Sequence, residues 1–242
     1  MAGSYYVALS GMRTRLDALD RLASDIANVG TAGYKAERGT TSEAQRPTFG
    51  ESLQSAIDVA TGGTRVDLRA GSIAPTGRDI DAAIDGPGFF AVSTPAGERY
   101  TRDGRFARRA DGVLTTNTGE PLVNAQPPYG PITIPEGPIQ IDADGIVRSG
   151  TTQVGRLKVV EFDASVAIAR DNAHLFAPGG ATPKAATQSV VRAGAVEQSN
   201  VSVVDRIAEL TTVSRGFETL QRALTVLSND IDGRAISELG RR

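Results

Sequence analysis

The sequence contains no cysteine and no tryptophan, and it has a single histidine among its 242 residues. The missing cysteines exclude disulfide bonds, thiol catalysis and thiolate metal sites. The lone histidine, His174, lies in a loop-like stretch without a partner pattern, so we interpret it as an incidental surface or loop residue. Few side chains are left for catalysis, and the sequence predicts no catalytic residue, no metal site and no cofactor.

Strong charge and long apolar runs are also missing. The net charge is −2 and the basic residues are dispersed, so no long-range field favours nucleic acid as a partner. No stretch approaches the roughly 20 apolar residues that cross a bilayer, so direct membrane insertion is not expected. The first residues lack the basic region and continuous apolar core of a secretion signal. We therefore expect no cleavable signal peptide, and export would need another route.

An amphipathic helix is predicted at the N-terminal end. Its apolar residues recur at alternating spacings of three and four, the a/d pattern of a narrow coiled-coil stripe. Asn28, Gly30 and Gly33 then break the pattern and predict a sharp end to the helix. The apolar positions are Leu9, Met12, Leu16, Leu19, Ala23 and Ile26.

A second helix with the same spacing is predicted at the C-terminal end, with Ser199, Asn200 or Ser202 as its N-cap. Gly216 lies inside this helix, where glycine is less favourable than alanine by about 1 kcal/mol. Two narrow stripes indicate helices that pair with each other or with further copies of the chain. The apolar positions of this stripe are Leu210, Val213, Phe217, Leu220, Leu224, Leu227 and Ile231.

The region between the helices has the pattern of antiparallel β-structure. Short apolar or alternating runs from residue 79 to 124 are divided by turn dipeptides such as Asp85-Gly86 and Asp111-Gly112. Residues 36–78 are polar and glycine-rich, typical of an interface segment or a disordered linker. The predicted class is α+β, with terminal helices paired as a coiled-coil-like bundle and a mainly antiparallel β domain. The predicted parts are 1–35 (helix), 36–78 (linker or interface), 79–190 (β domain) and 191–242 (strand and helix).

Three motifs, in order, span nearly the whole chain. They are Ser10-Gly11-Met12 with Ala27-Asn28-Val29-Gly30-Thr31-Ala32-Gly33-Tyr34-Lys35, then residues 81–92 with Tyr100-Thr101-Arg102-Asp103-Gly104-Arg105-Phe106, then Gly194-Ala195-Val196-Glu197-Gln198-Ser199-Asn200-Val201. Together they resemble the bacterial flagellar basal-body rod and hook proteins, and the length and C-terminal end are most similar to the proximal-rod members. The positions taken from these motifs are Asn28, Gly33, Tyr34, Lys35, Gly86, Gly88, Phe89, Phe90, Ser199 and Asn200.

The resemblance implies a structural subunit, not an enzyme, that assembles by its terminal helices into the tubular rod and transmits torque from motor to hook. The implied partners are copies of itself, other proximal and distal rod proteins and the flagellar export apparatus, and the implied location is the periplasm-spanning rod. With this resemblance we expect Tyr34 and Lys35 at a subunit contact, the alternative being an ordinary pair of residues at the helix exit. Phe89, Phe90 and Phe106 are expected in the β-domain core.

Other functions were weighed against this one. A distal-rod or hook-type member of the same family is one alternative, and a β-rich extracellular binding module is another, although aromatics make up only 5%. An enzyme would need Asp79, Asp81 and Asp85 to converge, but their alternating spacing favours one solvated strand face. Residues 142–145 lack the further ligands of a calcium loop and predict a hairpin turn, and residues 61–64 lack the lysine of a phosphate loop.

Overall fold

A computed structural model describes residues 2–39, 64–163, 168–180 and 182–239, with side chains between residues 9 and 226 of these ranges. Contacts divide the chain into two compact units. The helical unit contains α1 (Ala2–Ala27) and α2 (Val203–Leu239), and the β unit consists of Asn28–Arg38 and Arg65–Val201. Residues 40–63, the larger part of the predicted 36–78 segment, lie outside the described residues, as do the side chains of Leu227 and Ile231.

The strands between the two helices are short. They are β1 (Glu37–Gly39), β2 (Thr64–Val66), β3 (Ile73–Pro75), β4 (Ala82–Asp85), β5 (Phe89–Thr94), β6 (Gly97–Thr101), β7 (Phe106–Arg108), β8 (Leu114–Thr116), β9 (Val123–Asn124), β10 (Gly130–Pro131), β11 (Ile139–Ile141), β12 (Ile146–Ser149), β13 (Thr152–Arg156), β14 (Val159–Glu161), β15 (Ala169–Arg170), β16 (Phe176–Ala177), β17 (Lys184–Ala185), β18 (Val190–Ala193) and β19 (Ala195–Glu197).

The largest sheet of the described chain has six strands in the order β15-β16-β6-β5-β14-β17. A three-stranded sheet, β11-β12-β13, and five strand pairs, β1-β2, β9-β10, β4-β18, β3-β19 and β7-β8, complete the arrangement. The strands pair antiparallel throughout the six-stranded and three-stranded sheets. Gly145 has φ +73° and donates its N–H to Asp142 O at 2.9 Å in the turn between β11 and β12, so residues 142–145 form a hairpin turn.

The core of the β unit lies on both faces of β5. Phe90 and Val92 belong to one apolar cluster, whereas Phe89 and Ala91, which point to the opposite face, belong to a second one. Phe106 packs edge-on against Phe90, with ring centroids 5.1 Å apart. All of these side chains are buried, so β5 is the central strand of the unit.

The ends of both helices follow from their sequences. In α2, Ser202 Oγ accepts the N–H of Asp205 at 3.4 Å, the arrangement of an N-cap. At the end of α1, Asn28 O accepts the N–H of Thr31 at 3.1 Å, and the helix does not continue beyond Ala27. None of the described helices has an apolar stretch long enough to cross a membrane.

The coiled-coil-like bundle predicted for the helices is wrong. The described residues contain one helix at each end, and none of the predicted stripe residues with a described side chain is buried. Leu9 and Leu16 are 47% and 45% exposed, and the other stripe leucines with described side chains are half-buried. The physical reason is geometric, because two helices cover only one side of each other and the described residues of the chain supply no third helix. What the structure shows is one helix at each end and a mainly antiparallel β region between them.

Candidate functional site

The chain turns from α1 into the β unit at Gly33. This residue has φ +67°, a conformation that favours glycine, and it donates its N–H to Glu197 O at 2.8 Å. A methyl group placed on Gly33 would lie 2.2 Å from the carbonyl carbon of Arg102, so the backbones of the two segments approach too closely for a side chain. Gly33 therefore brings the N-terminal motif against both the central and the C-terminal motif.

Asn200 binds the segment that follows Gly33. Its side-chain Oδ1 accepts the N–H of Ala36 at 2.7 Å, while its Nδ2 donates to Asp67 O at 2.8 Å and to Arg69 O at 3.0 Å. The backbone N–H of Asn200 also donates to Tyr34 O at 3.3 Å. One amide side chain thus satisfies three backbone groups from two separate stretches of chain.

Lys35, Glu197 and Arg102 form a buried ion cluster. Lys35 Nζ lies 2.5 Å from Glu197 Oε1, and Arg102 Nη1 lies 3.0 Å from Glu197 Oε2. The side chains of Lys35 and Glu197 are 0% and 1% exposed, and Arg102 is also buried. One carboxylate therefore faces two cations in the ion cluster, and each cation comes from a different sequence motif.

Backbone groups supply further hydrogen bonds to the ion cluster. Lys35 Nζ donates to Arg69 O at 2.8 Å, and Glu197 Oε1 also accepts the N–H of Gly71 at 2.8 Å. Arg102 donates from Nη2 to Gly86 O at 2.6 Å, and its guanidinium lies 4.9 Å from the centroid of the Phe89 ring. Charges this far from water require such partners, since an unpaired buried charge is very costly.

Burial also shifts the acid–base equilibria of the ion cluster. Desolvation lowers the pKa of the Lys35 ammonium from its ordinary value, while the Glu197 carboxylate acts in the opposite direction. Desolvation lowers the pKa of the Arg102 guanidinium in the same way, again opposed by Glu197. Glu197 therefore opposes the effect of burial on the pKa of both cations.

Arg170 contacts the segment from Tyr34 to Glu37. Its Nε lies 2.5 Å from Glu37 Oε1, its Nη2 donates to Lys35 O, and its guanidinium lies 4.5 Å from the centroid of the Tyr34 ring. Tyr34 is buried between these groups and packs with Ala36 and Val201. The residues from Gly33 to Glu37 are thus enclosed by the β unit on several sides.

Comparison with known proteins identifies the family. The model of the flagellar hook protein FlgE/F/G D1 domain matches residues 83–149, and that of the flagellar basal body rod FlgEFG protein C-terminal region matches residues 192–236. The flagellar basal-body rod protein FlgF of Caulobacter vibrioides is 34% identical over 100% of this chain and 99% of its own. FlgF of Mesorhizobium japonicum is 32% identical over 99% of both chains, and FlgG of Bacillus subtilis is 30% identical over 93% and 95%.

The chain belongs to the flagellar basal-body rod proteins. It is FlgF-like, and the rod family is structural, which confirms the expectation of a rod subunit in place of an enzyme. The two family models cover Arg102 and Glu197 respectively, so two of the three residues of the ion cluster lie in regions that match the rod family. The site of this rod protein is therefore a structural joint between its three motifs.

The structure brings most of the predicted motif positions of the rod protein to this joint. Gly33 and Asn200 make its backbone contacts, and Gly86 and Phe89 contact Arg102. Gly88 lies outside the joint and donates its N–H to Ser189 Oγ at 2.7 Å.

Tyr34 and Lys35 are buried within the chain, so they are not accessible for the subunit contact that the resemblance implied. Three predicted positions remain. Phe90 lies in the core, Ser199 Oγ accepts the Val201 N–H, and Asn28 O accepts the Thr31 N–H at the end of α1.

Sequence reasoning missed several residues of the joint. Glu197 and Arg102 lie inside the quoted motifs but are not among the positions taken from them. Glu197 follows two apolar residues as a lone charge, whereas Arg102 is followed directly by Asp103 and gives no such signal. Arg170, Asp67 and Arg69 carry no such signal. The three carboxylates considered for an enzyme do not form a catalytic group, since Asp81 pairs with Arg78 at 3.1 Å and Asp85 pairs with Arg192. The described residues contain no cluster of potential metal ligands.

Replacing Asn200 with alanine is expected to lower the free energy of unfolding by about 1–3 kcal/mol, because backbone groups at Ala36 and Asp67 lose the Asn200 hydrogen bonds. The Arg69 carbonyl loses one donor but still accepts from Lys35 Nζ. Urea unfolding of the purified monomer measures the change. Gln198→Ala is the matched control, since the exposed Gln198 side chain accepts a single hydrogen bond within the described residues, from Ser72 Oγ, and we expect a change below about 0.5 kcal/mol there. Equal losses in both variants would contradict the role given to Asn200.

Proposed function

We propose that this rod protein occupies the proximal part of the rod and contacts other subunits, both copies of itself and other rod proteins, through its helical unit. The supporting observation is the distribution of exposed apolar side chains. In the part of the chain with described side chains, six of the nine exposed large apolar residues lie on α1 or α2. They are Leu9, Leu16, Val203, Val204, Ile207 and Val226.

An exposed apolar surface on a helix favours association, because covering it removes apolar area from water. The β unit differs, since its large apolar residues lie mostly in two buried clusters. In the proposed assembly, the half-exposed stripe residues of α1 and α2 become covered by neighbouring subunits. Contacts that join unlike surfaces and do not close into a ring build a helical stack, and such a stack transmits torque from motor to hook.

We further propose that the protein reaches the periplasm-spanning rod through the flagellar export apparatus without cleavage of a signal peptide. Membership of the rod family supports this route. Mass spectrometry of the protein recovered from purified basal bodies is expected to show the uncleaved N-terminal peptide. A shortened N-terminus generated by a signal peptidase would contradict the proposed route.

Leu16→Asp is expected to abolish rod assembly and motility while leaving the monomer folded. Leu16 is 45% exposed, so an aspartate there is tolerated in the free chain but places a charge in the proposed subunit contact. The measurements are swimming in soft agar, recovery of the protein in basal bodies and circular dichroism of the monomer. Val190→Asp is the matched control, because Val190 is 58% exposed but lies on β18 of the β unit.

Normal motility of the Leu16→Asp strain, or equal loss with Val190→Asp, would reject the helical unit as the assembly surface. A photo-crosslinking amino acid at Leu16 then identifies the neighbours in intact basal bodies. Crosslinks to other proximal rod proteins are expected. Crosslinks to hook subunits would place the protein distally, an alternative that the similarity to FlgG of Bacillus subtilis keeps in view.

A further inference from the structure

The contacts between α1 and α2 follow one antiparallel register. A methyl group placed on Gly11 would lie 3.8 Å from Leu220 Cδ1, Arg15 lies against Gly216, and Asp25 Oδ2 lies 3.2 Å from Arg206 Nε. Along α1 the contacts go from Gly11 to Arg15 to Asp25. The contacting residue on α2 moves back by the same number of positions each time, from 220 to 216 to 206. Three contacts along the pair therefore agree on a single alignment of the helices.

Gly216 provides the space for the Arg15 side chain. A methyl group placed on Gly216 would lie 1.6 Å from Arg15 Nη1 and 2.8 Å from Arg15 Cζ, so the guanidinium occupies the volume of the missing side chain. Glycine inside a long helix weakens that helix, and its presence there usually has a packing reason. Arg15 supplies that reason in this chain.

We infer that Arg15 and Gly216 determine the register in which the two ends of this chain pair. A shift of one helical turn along α2 would place Arg15 opposite Thr212 or Leu220, and both carry side chains where the guanidinium now lies. The same shift would separate Asp25, whose side chain is 1% exposed, from Arg206. A steric and an electrostatic feature thus select the same alignment, and neither depends on the proposed position in the rod.

The absence of cysteine makes the register measurable by disulfide trapping in the full-length monomer. The pair G11C/L220C is in register, and the pair G11C/L224C is one turn out of register on the same face of α2. We expect intramolecular disulfides to form at least tenfold faster in the first pair under mild oxidation at low protein concentration. Adding Gly216→Leu should bring the two rates to within about twofold, because the leucine displaces Arg15.

Further variants separate register selection from a loss of folding. Arg215→Leu introduces the same leucine at the neighbouring exposed position and should leave the tenfold preference intact. Arg15→Ala alone should reduce the preference, and combining it with Gly216→Leu should restore it, since the leucine then fills the vacated space. Circular dichroism verifies the helix content of each variant. Equal rates in the parent pairs, or an undiminished preference in Arg15→Ala, would overturn the inference.

Discussion

Replacing Glu197 with glutamine is expected to lower the free energy of unfolding of the β unit by about 3–5 kcal/mol. Glutamine preserves the shape of the side chain but removes its charge. Lys35 and Arg102 then remain as two buried cations without a counter-ion. The amide NH2 also points a donor at one of the two cations, both of which only donate. A loss of this size is a large fraction of the stability of an ordinary domain.

Lys35→Met is the matched control within the same ion cluster. Methionine fills a similar volume, and Glu197 keeps Arg102 and the Gly71 N–H as partners, so the remaining charges balance. The expected loss is about 1 kcal/mol, chiefly because the Arg69 carbonyl loses the Lys35 donor while it keeps the hydrogen bond from Asn200 Nδ2. Hydrogen exchange of peptides from residues 28–38 and 190–201, measured across a urea series, reports the stability of the β unit itself. A loss in Glu197→Gln no greater than in Lys35→Met would show that the carboxylate does not balance both cations.

The ion cluster also shows where sequence reasoning stops. Lys35 and Glu197 are 162 positions apart, and their contact depends on β19 pairing with β3 and on the turn at Gly33. Local sequence patterns predict a strand or a turn separately. They do not predict that the strand pair and the turn bring Lys35 and Glu197 into contact. The motifs indicated that the two ends of the chain matter, whereas only the fold shows that Glu197 joins them to Arg102.

The helices illustrate a different limit. The spacing of apolar residues along α1 and α2 depends on local periodicity, so the existence of both helices and the end of α1 at Ala27 were predictable. The number of neighbours around each stripe is not a local property. The prediction of a coiled-coil-like bundle failed for this reason, because periodicity shows which side of a helix is apolar but not what covers it.

The turns were predictable where glycine conformation alone decides them. Gly112 has φ +84° between the paired strands β7 and β8, as the Asp111-Gly112 dipeptide predicts. Gly104 differs, since a methyl group there would lie 1.6 Å from Ala82 O. Glycine is required there because another segment approaches closely, and not because of a hairpin turn. A dipeptide pattern in the sequence does not distinguish these two causes.

Gly33→Ala is expected to have an effect comparable to that of Glu197→Gln. The residue has φ +67°, which costs an alanine about 1–2 kcal/mol, and its methyl group would lie 2.2 Å from the carbonyl carbon of Arg102 and 2.4 Å from the Asp103 nitrogen. Backbone atoms cannot swing aside as a flexible side chain can, so the segment from Gly33 to Lys35 has to move away. We expect a total loss of about 3 kcal/mol or more, with overpacking supplying the remainder.

Gly30→Ala separates this effect from a general sensitivity of the helix end. Gly30 lies three residues earlier in the same motif, and a methyl group there would have no neighbour within 4 Å. We expect Gly30→Ala to change the unfolding free energy by less than about 1 kcal/mol, in either direction. If Gly33→Ala acts through the joint, exchange should accelerate at residues 33–36 and at residues 197–200 together, because Gly33 donates to Glu197 O and Asn200 donates to Tyr34 O. Faster exchange confined to residues 28–36 would mean that the C-terminal motif holds its place without the N-terminal one, and the joint would then be two independent attachments.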